Sequence, residues 1–443
     1  MVAIKTFDKL LSVFGELGAT RILAKPLAAN DNSKNQVYLG GGFGALNIIP
    51  HGEITTDETT RAGSVRKRDK ALVNFFWVNG EGAFRAPDAQ LILYPKYPEV
   101  RMSGFLMRAE NAPSDLMRSR DEGRVLFLGI CPDGRVLGHV CAQDHPIAQA
   151  FGAKTGLTQT GVFLDLSHLA TGQGDAKSVL ISTLKNIHTK RWIPSQKLGR
   201  DGRPAPYRAQ NGGGYTLEAE LGVSPNGYAE PDFLGWEIKQ FGVTDFLNYR
   251  AKSPVTLMTP EPTGGVYRDE GVEVFMRKFG YADKSGREGR VNFGGIYKVG
   301  REFHADTGLT LAVSGFNADN RKIEDMDGAL YLSDRKDQIA ASWSFRGMLA
   351  HWNRKHARAA YVPSLKRSPP PEYSYGPRAE LFEGTDFLLF LLAVANGDVY
   401  YDPAVKMEMA NTGHPAIKRR SQFRVRHDRL HGLYVAGEVV ALT

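Results

Sequence analysis

The longest unbroken apolar stretch in the chain is nine residues, Phe387–Ala395, closed by Asp386 on one side and by Asn396, Gly397 and Asp398 on the other. A helix that crosses a bilayer needs roughly 18. The core must therefore be assembled from many short elements drawn from distant parts of the chain, and no membrane partner is expected. With 443 residues, 42% hydrophobic, 23% charged and 10% aromatic, there is ample apolar surface for this. The same composition excludes disordered, collagen-like and coiled-coil chains. Length alone predicts two or three domains. The N-terminal stretch carries Lys5, Asp8, Lys9 and Glu16, which leaves no signal-peptide core. Two cysteines, Cys131 and Cys141, suit a reducing compartment. The expected location is the cytoplasm.

The texture changes along the chain. Phe7, Leu10, Leu11, Val13 and Phe14 have helical spacing. Segments Leu72 to Val78, Gln90 to Tyr94, Arg124 to Ile130 and Arg135 to Cys141 are short, apolar or alternating, with turn formers such as Pro132, Asp133 and Gly134 between them. Residues 1–172 thus read as a β-rich domain with a few helices. The small, polar stretch Leu166 to Gly174 is a natural hinge. Asp175 can then cap a helix running through Val179, Leu180, Leu184 and Ile187. From 173 to 443 helical and strand patterns alternate, as in an α/β or α+β domain. The irregular segments there are the Gly-rich stretch Asn211 to Gly214 and the proline-rich Ser368 to Pro377. Residues 341 to 360 predict a basic amphipathic helix with Phe345, Met348, Leu349, Trp352 and His356 on one face.

Chemistry concentrates between Thr216 and Val243. Residues 235 to 241 predict a strand, on which Glu237 and Lys239, two apart, share a face while Ile238 packs inward. If Asp232 reaches in from the adjacent turn, Asp232, Glu237 and the backbone carbonyl of Ile238 form an oxygen-rich site suited to Mg²⁺. Such a site polarises a phosphodiester and acidifies a bound water, and Lys239 orients that water or stabilises developing charge. Charged residues on a half-exposed strand also recur by chance, so the flanking sequence matters.

The stretch LEAELG followed by PDFLGWEIK resembles the MvaI/BcnI restriction endonucleases and the related mismatch-repair nicking enzyme MutH, members of the PD-(D/E)xK nuclease superfamily. The shared pattern is Leu-Glu, two residues, Leu-Gly, a variable loop, Asp, a Gly-containing turn and Glu-x-Lys. The resemblance implies a restriction-endonuclease-like core over residues 173–443, with a mixed β-sheet flanked by helices. It makes Asp232, Glu237 and Lys239 the metal-binding and catalytic trio and Glu218 a further helix-borne acid, Glu220 being the less favoured match. The implied activity is that of a type II site-specific endonuclease, which hydrolyses double-stranded DNA with Mg²⁺ (or Mn²⁺ in its place) as a monomer. A DNA methyltransferase encoded nearby would be its counterpart. The competing readings are a strand-nicking or modification-dependent defence nuclease and a non-catalytic DNA-binding protein that kept the fold.

Lys plus Arg number 56 against 48 for Asp plus Glu, +8 overall, and residues 406 to 429 hold seven basic against two acidic residues. Arg420, Arg424 and Arg426 lie around a strand-like QFRVR. Arginine pairs bidentately with guanine, so Arg424 and Arg426 are candidates for base contact. Lys418 and Arg419 are candidates for phosphate, as are Arg354 and Lys355 on the 341–360 helix; the alternative for each is a solvated or acid-paired surface. Cys131, His139, Cys141 and His145 suit zinc in type but not in spacing, and His351 and His356 are expected to be structural. No GxxxxGK[ST] occurs, so no nucleotide cofactor is expected. The polar stretch Asn30 to Gln36 and the basic run Arg66, Lys67 and Arg68, read as a loop, make a second DNA contact the favoured role for the N-terminal domain.

Overall fold

The computed structural model describes residues 4–31, 36–61, 64–95, 97–171, 176–199, 201–224, 232–249 and 251–443, with side chains at 59–67, 170 and 171, and 353–355 not described. The chain divides into two compact units, Met1–Leu180 and Ile181–Thr443, and the division falls within the helix Ala176–Thr189. Leu180, Leu184 and Ile187 are buried on that helix. Part of the expected hinge is helical, Ser167–Thr171, while Asp175, its proposed cap, lies outside the described residues. Among the described residues no helix is long and apolar enough to cross a membrane.

The first unit is built on two sheets. Seven strands run in the order Thr158–Thr160, Phe163–Asp165, Arg21–Pro26, Val125–Ile130, Arg135–Cys141, Asn74–Asn79 and Gly82–Ala86; five more run Val37–Gly41, Glu99–Ser103, Gln90–Tyr94, Ser64–Leu72 and Thr55–Arg61. The helix Phe7–Glu16, capped by the Thr6 hydroxyl, buries Phe7, Leu10, Leu11 and Phe14 in one core with Ile22, Phe127 and Leu137. The segment Leu72 to Val78 is not one strand: it passes from the five-stranded to the seven-stranded sheet at Val73, whose N–H donates to Ala89 O. The basic run at 66–68 lies on the strand Ser64–Leu72 rather than in a loop, with Arg68 exposed and opposite Asp57. Alternation there is masked by consecutive charges, which is why the sequence reads as a loop. Most of the Asn30 to Gln36 stretch lies outside the described residues.

In the second unit the central strand is Arg358–Arg367. It pairs in parallel with Glu237–Gly242 along one edge, and antiparallel with Arg378–Thr385 and Glu372–Tyr375; Tyr434–Ala441 extends the sheet beyond Arg378–Thr385. A three-stranded sheet, Val255–Met258, Phe423–Val425 and Val399–Tyr401, and four further small sheets complete this mixed α+β unit. The nine-residue apolar run is the helix Phe387–Ala395, started by Asp386, whose carboxylate accepts from Leu388 N, and ended at Asn396 and Gly397, the latter at φ +72°. The helix expected over 341–360 is shorter. Residues Ile339–Ser344 and Arg358–Arg367 are strands, and only Phe345–His356 is helical, begun by the Ser344 hydroxyl. Its predicted apolar face is buried. The proline-rich segment is partly strand, since Glu372–Tyr375 folds back on the central strand.

The Cys and His residues of the first unit have separate structural uses. Cys131 and Cys141 sit in the apolar core, the His139 ring bonds Val78 O at 2.9 Å, and His145 caps the helix Pro146–Gly152. Burial raises the Cys131 thiol and pushes the Cys141 thiol up to about 12. A thiolate is the reactive form, so neither cysteine should react with a thiol reagent at pH 8 in the folded protein. Both should titrate once it is unfolded in urea. Rapid labelling of either in the native state would contradict this core.

Candidate active site

The helix bearing the first acid begins where sequence predicts irregular chain. Gly212, Gly213 and Gly214 form the opening turn of the helix Gly212–Glu220. Glycine is a poor helix former, but close approach overrides propensity here. A Cβ on Gly212 would lie 2.5 Å from Ser195 Oγ, and one on Gly213 would lie 2.8 Å from Gln240 Oε1 and 3.0 Å from the Tyr373 ring. Tyr375 OH donates to Gly213 O at 2.7 Å, and the Thr216 hydroxyl accepts from Gln196 N at 3.0 Å. Held against the strand Glu237–Gly242 in this way, the helix presents Glu218, half-buried. Glu220 is otherwise engaged, with Lys190 Nζ at 2.6 Å and Gln196 Nε2 at 2.7 Å.

Asp232 is brought in by a tight turn. Phe233 and Trp236 exchange backbone hydrogen bonds around Leu234 at φ +48° and Gly235 at φ +83°. Two successive positive φ values are the signature of a hairpin turn that glycine favours, and they account for the glycine between the acid and Glu-x-Lys. Trp236 anchors the turn, fully buried, and Asp232 Oδ2 accepts from Ile238 N at 2.9 Å.

On the strand itself Glu237 is 2% exposed and Lys239 Nζ donates to Glu237 Oε1 at 2.5 Å. Burial works against the Lys239 ammonium, but Glu237, Asp232 and Glu218 together outweigh it and hold its pKa above the ordinary lysine value. Lys239 thus bonds one carboxylate and feels the charge of two more, a formal excess of two negative charges over the four groups. That excess and an all-oxygen donor set, the Asp232 and Glu237 carboxylates with the Ile238 carbonyl, fit a hard divalent cation. Among the described residues no three His, Cys, Asp or Glu side chains converge on one point as metal ligands. The fit thus rests on two carboxylates plus a backbone oxygen.

Behind the site is a polar chain that the sequence does not single out. Tyr361, register partner of Lys239, lies 3.0 Å from Tyr434 OH, which lies 3.3 Å from His356 Nδ1; His356 Nε2 is 3.1 Å from Leu257 O. A carbonyl only accepts, so the Nε2–H of His356 donates to Leu257 O. Burial raises both phenols and the Glu237 charge adds to it, keeping them neutral donors. His427 rests on Phe241, 4.3 Å between ring centres, with Nε2 3.2 Å from Glu380 Oε1. Only the strand register places these residues beside Glu237, and that register is not visible in a single chain.

The basic candidates separate. Arg424 is half-buried in the middle strand of the three-stranded sheet, donating to Asp402 Oδ2 at 2.7 Å and Pro254 O at 2.6 Å. Arg426 lies just beyond that strand rather than on it, exposed, and is bidentate to Asp428. Lys418, Arg419 and Arg420 are exposed, and Arg420 Nε bonds Gln422 Oε1 at 3.2 Å. Lys355 and Arg354 belong to the helix Phe345–His356, but their side chains lie outside the described residues.

A solved complex of the restriction endonuclease MvaI with its cognate DNA aligns over 61% of this chain and 100% of its own, at 18% identity and a TM-score of 0.45. MvaI without DNA aligns over 61% and 99%, at 18% identity and a TM-score of 0.33. A search of curated proteins gives no match. The profile of the MvaI/BcnI restriction endonuclease family matches residues 181–434, more than half of the chain and all of the site described above, and the chain belongs to that family of site-specific DNA endonucleases.

Proposed function

We propose that this chain is a type II restriction endonuclease that hydrolyses double-stranded DNA with Mg²⁺ held by Asp232, Glu237 and the Ile238 carbonyl, with Mn²⁺ able to substitute and no nucleotide required. The observation that carries this reading is the cluster of three carboxylates around Lys239 on the strand Glu237–Gly242. The metal, when bound, supplies a Lewis acid for the phosphodiester and acidifies the attacking water. The protein's own groups do the rest. Lys239, kept as an ammonium, donates to the attacking water or to the charge developing on the phosphate. Glu218 adds negative charge beside the metal ligands, and the Asp232 to Ile238 N bond fixes the turn against the strand. Lys418, Arg420 and Lys355 hold backbone phosphates and Arg426 meets a base edge. Arg424 orders the sheet that presents them and reaches a base only if DNA draws it from Asp402. The N-terminal 172 residues supply a second DNA contact; a monomer acting in the cytoplasm beside a cognate methyltransferase completes the reading.

Asp232→Ala and Lys239→Ala should each cut plasmid cleavage by about 10²–10³-fold or more while leaving the far-UV circular dichroism and DNA binding close to wild type. Either variant cleaving at the wild-type rate contradicts the assignment. Glu218→Ala should be severely but less completely impaired; if it matches wild type while Glu220→Ala fails, the roles of the two acids are reversed.

For selectivity, Arg426→Ala should cost about 1–3 kcal/mol of discrimination at one base pair with little effect on stability. Arg424→Ala should lower the unfolding midpoint as well, because it strands Asp402. Binding to cut-site and scrambled duplexes, read beside thermal unfolding, separates the two. Equal, purely salt-dependent losses would reduce this segment to a phosphate contact.

Residues 173–443 expressed alone should retain Mg²⁺-dependent cleavage but bind DNA more weakly or choose sites less stringently. A folded fragment that equals the full chain in affinity and site choice would exclude DNA reading by the N-terminal domain.

A further inference from the structure

One small sheet of the second unit contains an arrangement that folding alone disfavours. Its strands run Tyr281–Ala282, Val291–Gly294, Ala404–Glu408 and Ala416–Lys418, and the last two pair antiparallel with Lys406 directly opposite Lys418. Opposed residues of such a pair share a face with Cβ atoms about 4.5–5.5 Å apart, and like charges there are destabilising. Both lysines are exposed, while Val405 and Met407 alternate into the core, so the register cannot slip to separate the charges without turning the apolar face outward.

The four acids of residues 398–428 are committed to other cations. Glu408, on the same face as Lys406, lies 3.3 Å from Arg290; Asp402 holds Arg424, Asp428 holds Arg426, and Asp398 lies 3.6 Å from Arg429. Asn292, opposite Lys406 on its other side, donates to Asp283. Among the described residues neither lysine has a carboxylate partner. Arg419 and Arg420 follow Lys418 directly, both exposed.

We propose that Lys406 and Lys418 form a two-lysine clip for one backbone phosphate of the DNA, a binding site outside the catalytic centre. An anion placed between two ammonium groups turns their repulsion into two attractions, and point charges on flexible stems hold a phosphate without reading a base. The clip is within reach of the cut. From Lys418 to His427 the chain spans at most about 30 Å, and the His427 ring stacks 4.3 Å from Phe241 of the catalytic strand. This inference rests on the endonuclease reading.

The test uses the full chain and its Lys406→Thr, Lys418→Thr, doubly substituted and Lys406→Glu variants. Threonine keeps strand propensity while removing charge. Anisotropy without divalent metal, on a duplex holding the mapped cut site and on a scrambled one, is measured across a salt series. Each single threonine variant should lose about 8-fold in affinity for both duplexes at 0.1 M salt, with the log–log salt slope smaller by about 0.9. The double variant should lose less than the product of the single losses, because the two lysines share one phosphate. Relief of repulsion should leave the thermal midpoint at or about one degree above wild type, highest for Lys406→Glu, which also binds most weakly. Variants with wild-type affinity and slope overturn the clip alone, as do variants that lose stability or whose losses multiply. A wild-type chain that binds no duplex overturns the endonuclease reading and the clip with it.

Discussion

The site depends on keeping three carboxylates within reach of one ammonium without letting them spread. In water, mutual repulsion would drive Glu218, Asp232 and Glu237 apart; here the backbone opposes that. Glu237 and Lys239 are fixed two residues apart on a strand whose every residue pairs with Arg358–Arg367, from Glu237 opposite Ala359 to Gly242 opposite Ser364. Asp232 is tied to that strand through Ile238 N, and Glu218 rides on a helix that begins with Gly212 and Gly213, where a side chain would meet Ser195, Gln240 and Tyr373. The charge excess is thereby part of the fold, and it is of the kind that a divalent cation relieves.

The same register organises what lies behind the site. Tyr361 stands beside Lys239, and its hydroxyl begins a fully bonded chain through Tyr434 and His356 to Leu257 O. Leu257 belongs to the sheet that carries Arg424. Buried polar groups left unpaired cost about 1–3 kcal/mol each, so this chain fixes the position of the arginine-bearing sheet relative to the catalytic strand. That sheet and the strand that carries Lys239 are in this way joined by packed, hydrogen-bonded structure.

Much of this was legible in the sequence, for physical reasons. Side chains two apart on a strand share a face whatever the fold, so Glu237 and Lys239 could be paired on paper; the strand is observed at Glu237–Gly242 against an expectation of 235 to 241. The apolar stripe Phe345, Met348, Leu349, Trp352 and His356 is buried as its spacing predicts. Other features needed the third dimension. Glycines at 212–214 argue against a helix until Tyr373 and Gln240 are seen to press on Gly212 and Gly213. Arg424 and Arg426 look equivalent in QFRVR, yet one is locked to Asp402 and Pro254 O while the other sits exposed beside Asp428. The ends of the 341–360 segment became strands because Trp343 and Ala359 are claimed by sheet neighbours, an override that local propensity does not encode.

The most direct measurement is digestion of an unmodified plasmid by the purified full chain with Mg²⁺, in parallel with a reaction containing a chelator, followed by sequencing of the ends. Double-strand ends at one recurring sequence are expected with Mg²⁺, and intact plasmid with chelator. Cleavage that persists in chelator, or ends scattered without sequence preference, would contradict it.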